Sequence, residues 1–211
     1  MENDVLTKEF FSDDARYADL INGLGCDGKQ IVKKEDLQEL DTQMGVWKTA
    51  FQRKRGRRKI RSRDLVRRTA FGVNFAVIGI ENQEVIDYAL SLRNMSYDAS
   101  EYEKQAARIK KEVRKDGTGI TAGEYLYGFK KDSKLHPVVT FVLYYGKEAW
   151  DGALDLHSII DFEGIPDEIK KLVQNFRVHV VEVRKLKIQV CFRRMSDRCL
   201  ILSDIRKNRK S

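Results

Sequence analysis

An α/β fold, with helices packed on a mixed central sheet whose antiparallel hairpin lies in its first half, is predicted by three features of the sequence. The first is an almost uninterrupted apolar run, Val73 to Ile80, of strand length and suited to burial on both faces. The second is the stretch after Gln83, where Val85, Tyr88, Ala89, Leu92, Met95, Ala99, Tyr102, Ala106, Ile109 and Val113 recur every three or four residues, the period of a long amphipathic helix. The third is a second apolar strand, Val138 to Tyr145, entered through Pro137.

The elements follow in order. From Thr7 to Asn22, Phe10, Phe11, Tyr17, Leu20 and Ile21 have roughly helical spacing, and Gly23 and Gly25 supply a stop. Lys34 to Leu40 reads as a short turn or helix leading into an extended stretch, Leu40 to Phe51. Ile60 to Arg67 is expected as a strand with its basic residues outward, joined by a turn at Thr69 to Gly72 to the strand Val73 to Ile80. The long helix should end before Asp116-Gly117, and the polar segment Gly117 to Lys134 should hold one helical turn around Tyr125. Leu154 to Ile160 and Asp167 to Gln174 look like short helices, and Phe176 to Val183 like a last strand. No repeat or linker divides residues 1–183, so one domain is expected there.

The chain of 211 residues carries 40 Lys and Arg against 32 Asp and Glu, a net +8, and the charge is concentrated. Between Arg53 and Arg68 stand ten basic residues and one acid, Asp64, a net +9 that leaves the remainder at −1. A neutral body with one basic ribbon suits a polyanion held at one place, since each phosphate neutralised releases condensed counterions. Arg53, Arg55, Arg57, Arg58, Lys59, Arg61 and Arg63 are the expected DNA contacts. The other reading of such a run is a solvated surface loop.

Three cysteines, Cys26, Cys191 and Cys199, lack the spacing of a zinc site, and their odd number agrees with a reducing compartment. No segment is apolar for the length of a membrane span, and MENDVLTKEF is acidic where a signal peptide would be basic. A cytoplasmic protein without a membrane partner is expected; a homodimer is left open. His136, His157 and His179 are isolated and read as structural, as do Trp47 and Trp150. No Walker or GxGxxG loop is present.

The chemistry is expected on the hairpin. Asp64 lies near one end of its strand and Glu81 closes the next, so antiparallel pairing can set the two carboxylates side by side. Glu81 and Gln83, two residues apart, project to one face. Two carboxylates and a polar third group facing one cleft suit Mg²⁺ or another divalent cation, with positions left for water and a substrate phosphate. Taken singly, Asp64 would be a surface acid among arginines and Glu81 a solvated strand end; the combination with a buried strand and a basic ribbon points to a site.

The ordered stretches KEFFSDDARYADLIN, ELDTQ, RSRDLVRR, VIGIENQ, YALSLRNMSYDASEYEKQ, GEYLYGF and LHPVVTFVLYYGKEAWDGALDLH carry a resemblance over most of residues 7–183. The chain resembles the recombination-promoting nuclease/transposase family (YhgA-like) of the PD-(D/E)XK nucleases, especially its clostridial-type members, in which Gln commonly replaces the motif Lys. The resemblance implies a PD-(D/E)XK-like αβββαβ core and a Mg²⁺-dependent DNA endonuclease hydrolysing phosphodiester bonds in recombination or mobile-element processes. By resemblance, Asp64 and Glu81 are metal ligands, Asp19 completes the metal site from the first helix, and Gln83 takes the place of the Lys that orients the attacking water. Tyr97 and Gln105 match polar helix positions; Gln105 is an expected DNA contact, with a core or helix-surface role equally open. The alternatives are a catalytically inactive DNA-binding module on the same fold, and an RNA-processing nuclease.

The resemblance stops at Val183. Residues 184–211 are expected as a tail, disordered or read from another frame beginning near Leu186, because one codon-compatible reading there yields an amphipathic helix like the family's last.

Overall fold

The structure is a computed structural model that describes residues 11–40, 65–71 and 74–185. Its elements are α1 (Asp14–Gly25), β1 (Leu37–Glu39), β2 (Leu65–Phe71), β3 (Asn74–Gln83), α2 (Leu90–Asp116), α3 (Ala122–Tyr127), β4 (Val138–Tyr144), α4 (Asp167–Lys170) and β5 (His179–Glu182). The expected tail from residue 186 onward, the stretch 41–51 and the ribbon residues up to Asp64 lie outside the described residues.

The five strands form one sheet in the order β1-β2-β3-β4-β5. β1, β2 and β3 are antiparallel neighbours, while β4 and β5 continue the sheet parallel to β3. The architecture is mixed α/β, as expected. The hairpin is shifted from its expected position, however. Thr69–Phe71, expected in the turn, belong to β2, where Thr69 is buried and pairs with Ala76. β3 likewise runs three residues past Ile80 to Gln83. A β-branched Thr and an aromatic suit a pleated, half-buried surface, so pairing carries the strands on until only residues 72 and 73 separate them.

Alternation along the strands divides the apolar interior in two. Ile80, Leu65, Phe141 and Leu143 face α1, where they pack against Tyr17, Leu20 and Ile21. Val142, between Phe141 and Leu143, faces the other way and meets Leu90 and Val178. The sheet is therefore covered on one side by α1 and on the other by α2.

α1 is begun by Asp13, whose carboxylate accepts from Arg16 N at 3.0 Å, supplying one of the acceptors an N-terminal turn needs. Buried Asn22 pins the following loop: its Nδ2 donates to Val32 O at 2.8 Å and its Oδ1 accepts from Ile31 N and Val32 N. Within Lys34 to Leu40, expected as turn or helix, a 3-10 turn at Lys34–Asp36 passes directly into β1.

α2 ends as expected, on Gly117 in the left-handed region at φ 61°, which a residue without Cβ adopts freely. Its start and its phase differ from expectation. Val85 and Tyr88 precede the helix and are exposed, as is Leu92 within it. The residues buried along it include Ser91, Asn94, Asp98, Glu101 and Gln105, at alternating spacings of three and four. A polar stripe with helical period turns inward beside part of the apolar one, of which Val113 is buried and Met95, Ala99, Tyr102, Ala106 and Ile109 are half-buried. The helical turn expected near Tyr125 is α3, held by a capping box between Thr121 and Glu124. Leu154 to Ile160 shrinks to a 3-10 turn at His157–Ile159, and Asp167 to Gln174 to the four residues of α4.

A candidate site at the carboxyl edge of the sheet

Because β3, β4 and β5 are parallel, their carboxyl ends lie along one edge. The register aligns Gln83 with Tyr144 and Tyr144 with Glu182, a row across three strands on the α2 side. One pair further in, Glu81 stands beside Val142 and Val142 beside Val180. Open α/β sheets place ligands outside these carboxyl ends, where side chains from several strands and loops can meet.

Gln83 is held at both ends of its amide. Its Nε2 donates to Val85 O, and its Oε1 accepts from Arg93 Nη2 at 2.6 Å. Arg93 rises from the first turn of α2 and also pairs with Asp87, Nη1 to Oδ2 at 3.0 Å. Its side chain is 25% exposed and its Nε is buried, so the guanidinium is fixed in place.

At the far end of the row, Glu182 Oε2 accepts from Arg184 Nε and Nη2 at 2.9 and 2.7 Å, and its Oε1 from Lys185. These bonds, Lys185's foremost, hold its carboxyl below the ordinary glutamate range against the opposing effect of burial. Tyr144, between them, packs edge-on against Trp150 with ring centres 5.0 Å apart, and burial pushes its phenol upward. On the rim, exposed Tyr88 bonds Asp151, whose charge raises the Tyr88 pKa.

The residues expected from sequence fall as follows. The described part of β2 begins at Leu65, which pairs with Ile80, the residue before Glu81. Asp64 and the ribbon residues Arg53, Arg55, Arg57, Arg58, Lys59, Arg61 and Arg63 lie outside the described residues, as does the side chain of Glu81. Asp19 is buried on α1, the helix over the opposite face from Gln83, and lines a cleft of about 460 Å³ with Gln30, Lys33, Lys34 and Glu35. Gln105 is buried and clamps the main chain of His136: its Oε1 accepts from His136 N at 2.7 Å and its Nε2 donates to His136 O at 3.2 Å. An amide so placed fixes the entry to β4, which is the core role that the sequence leaves open for it.

Arg67, expected to point outward with the ribbon, points in. It is 3% exposed, bonds Asp14 at 3.0 Å and Glu39 at 3.3 Å, and lies over the Tyr17 ring. Its planar fork and weakly hydrated charge allow this where a lysine would be less suited. Arg67 thus ties α1 and β1 to β2. His157 and His179 stand in packing contacts with Phe162 and Phe141.

Arg93 and Glu182 are site residues that sequence reasoning misses. For Glu182 a weak signal exists, an acid closing a strand directly before Arg184 and Lys185. For Arg93 there is none, because its partner lies ten residues back and the loop geometry decides the contact.

Among the described residues no group of three His, Cys, Asp or Glu side chains is arranged to hold a metal ion, and no helix is long and apolar enough to cross a membrane. Comparison of the chain with protein-family models, with curated proteins and with solved structures found no match.

Proposed function

We propose that this chain is a divalent-metal-dependent DNA endonuclease of the PD-(D/E)XK type, acting in recombination or mobile-element processes. The observation that carries the reading is the β2–β3 register. Leu65 pairs with Ile80 in an antiparallel ladder, so the residues that adjoin Asp64 and Glu81 in sequence are partners across the hairpin. The order helix, three antiparallel strands, helix, parallel strand is the order the αβββαβ core requires, and it supports the same reading.

In this reading Asp64 and Glu81 supply hard oxygen donors, the chemistry that suits Mg²⁺. The ion, when bound, polarises a phosphoryl oxygen and lowers the pKa of a coordinated water. A water oxygen would bond to phosphorus as the bond to the leaving sugar oxygen breaks, the water's proton passing to solvent and the leaving oxygen taking one from solvent. Gln83 cannot take the water's proton; its bonded amide serves to fix the end of β3. Arg53 to Arg63 hold the flanking phosphates.

A second reading, a DNA-binding module without turnover, is favoured by one observation. Both ends of the Gln83 amide are engaged within the protein, by Val85 and Arg93.

A plasmid-nicking assay with and without Mg²⁺ separates the two, using the parent and Glu81→Gln. The substitution keeps size while removing a ligand charge, so the variant should melt like the parent, bind DNA at least as tightly, and fail to nick at any Mg²⁺ concentration. Full cleavage by the variant removes Glu81 from the site. A parent that shifts the plasmid and never cuts it establishes the binding module. Neutralising Arg55, Arg57 and Arg58 together should flatten the salt dependence of binding by about 0.9 log units for each phosphate no longer neutralised; an unchanged slope makes the ribbon a solvated loop.

A further inference from the structure

α3 is firmly held yet buries nothing. No residue of Ala122–Tyr127 is buried; Tyr125, Leu126 and Tyr127 are 56, 65 and 75% exposed, and Phe129 is exposed just beyond them. Single apolar side chains are ordinary on a surface, but four large ones crowded into so short a stretch are not.

Three contacts fix the segment. Glu124 Oε2 accepts from Thr121 N and Oγ1 at 2.8 and 2.9 Å, and its Oε1 accepts from Lys131 N at 3.0 Å. Gly128, left-handed at φ 68°, lies so close to α2 that a Cβ there would overlap the Lys110 stem. Asp116, at the end of α2, pairs with Lys130 at 3.4 Å.

The charge around the rings is chiefly of one sign. From Arg108 to Lys134 the sequence carries eight Lys and Arg against four Asp and Glu, a net +4. Two of those acids, Glu124 and Asp116, are taken up in the contacts just described. Lys110, Arg114, Lys131 and Lys134 enter no ion pair among the described residues. Exposed rings beside unpaired cations are the combination that holds a single strand, whose bases offer flat faces between phosphates. A duplex keeps those faces inside its stack. Protein interfaces are depleted in lysine, and a helix lying on a membrane carries a longer apolar face than six residues provide.

We propose that α3 and the turn after it form a second nucleic-acid surface, distinct in sequence from the basic ribbon, where bases of single-stranded DNA stack on Tyr125, Tyr127 and Phe129 and phosphates meet Lys110, Arg114, Lys131 and Lys134. Every residue it uses is described, and it stands whether or not the chain cleaves DNA.

The experiment separates bases from phosphates. Binding of labelled oligo(dT), about 16 nucleotides long, and of an equally long strand without bases is measured by anisotropy on the full chain. The salt concentration is about 0.2 M, which weakens contacts made to phosphates alone. Parent, Tyr125→Ala/Tyr127→Ala and Tyr125→Phe/Tyr127→Phe are compared, with melting temperatures. One stacked ring is worth about fivefold in affinity or more, so the alanine pair should bind oligo(dT) about 25-fold more weakly or worse. Its binding to the strand without bases should stay within about twofold of the parent's, and the phenylalanine pair should bind both strands as the parent does. If the alanine pair melts well below the parent, photo-cross-linking of the parent to oligo(dT) carrying 5-iodouracil decides, with cross-links expected at Tyr125, Tyr127 or Phe129. Cross-links confined to other segments overturn the proposal. So does a parent that does not bind oligo(dT), or a well-folded alanine pair that binds it within about twofold of the parent. An alanine pair that instead loses binding to phosphatidylserine vesicles, with oligo(dT) unaffected, assigns the rings to a membrane and overturns it as well.

Discussion

The two helices that cover the sheet meet it in opposite ways. α1 lays Tyr17, Leu20 and Ile21 on Leu65, Ile80, Phe141 and Leu143, an apolar contact interrupted by a buried ion, Arg67, whose partners Asp14 and Glu39 reach out to solvent. α2 turns Ser91, Asn94, Asp98, Glu101 and Gln105 toward the sheet. Some of these are satisfied: Thr140 Oγ1 donates to Asp98 Oδ1 at 2.6 Å, and Gln105 clamps His136. Others are not, for Ser91 Oγ, Asn94 Oδ1 and Glu101 Oε1 are buried without a hydrogen-bond partner among the described residues. A buried polar atom left without a partner costs about 1–3 kcal/mol. The contrast places the larger apolar cluster on the α1 face and the buried polar side chains on the α2 face, which ends at Gln83 and Arg93.

The largest effect expected from this contrast is on the α1 face. Leu20, 1% exposed at the centre of the first cluster, loses its transfer energy and opens a cavity when shortened. Leu20→Ala should lower the unfolding free energy by about 2–5 kcal/mol in urea titrations. A loss below about 1 kcal/mol would mean that the first cluster can collapse around the gap and is not the rigid half of the molecule.

An equally buried position on the other face should respond with the opposite sign. Asn94 is 1% exposed, and its Oδ1 has no partner among the described residues. Asn94→Leu keeps the branching and heavy-atom count of the side chain, with two larger methyl groups, and removes the unpaired acceptor, so the variant should be more stable by about 1 kcal/mol. Destabilisation as large as that of Leu20→Ala would abolish the distinction between the faces. Stabilisation together with impaired cleavage would sharpen it, since strained or underpaired sites tend to trade stability for function.

The same contrast explains what the sequence can and cannot disclose. Strand runs such as Val138 to Tyr144 and the glycine stop of α2 depend on local chemistry, and they are legible. The phase of α2 is not. Apolar and polar residues along it share one period, and a rule that buries the apolar set picks the face bearing Leu92, which the structure exposes, as well as Val113, which it buries. Arg67 escapes for a related reason, because residue type alone places an arginine outside while its partners come from α1 and β1. In the candidate site, the two-residue spacing of Glu81 and Gln83 is a local property and can be read directly. Arg93 cannot, since nothing short of the folded β3–α2 connection brings it to Gln83.

The smallest expected effect tests whether the far end of the polar row is held by charge. Glu182 is 12% exposed on its side chain and receives Lys185 and Arg184, which hold its folded pKa below the value of an unfolded glutamate. A carboxylate with a depressed pKa binds fewer protons folded than unfolded, so its contribution to stability is fully present above the unfolded pKa, near 4.5. That contribution falls away as the pH drops through the folded pKa. Glu182→Gln, which cannot titrate, should therefore be less stable than the parent at neutral pH, and the difference should shrink steadily as unfolding is measured at pH values descending from about 5 to 3. A gap that stays constant over this range would show that Glu182 acts through contacts that do not depend on its charge, such as its acceptance from Trp150 N, and not by the charge itself. The far end of the carboxyl edge would then be anchored by neutral hydrogen bonding, and the ion pair with Arg184 and Lys185 would add nothing measurable to it.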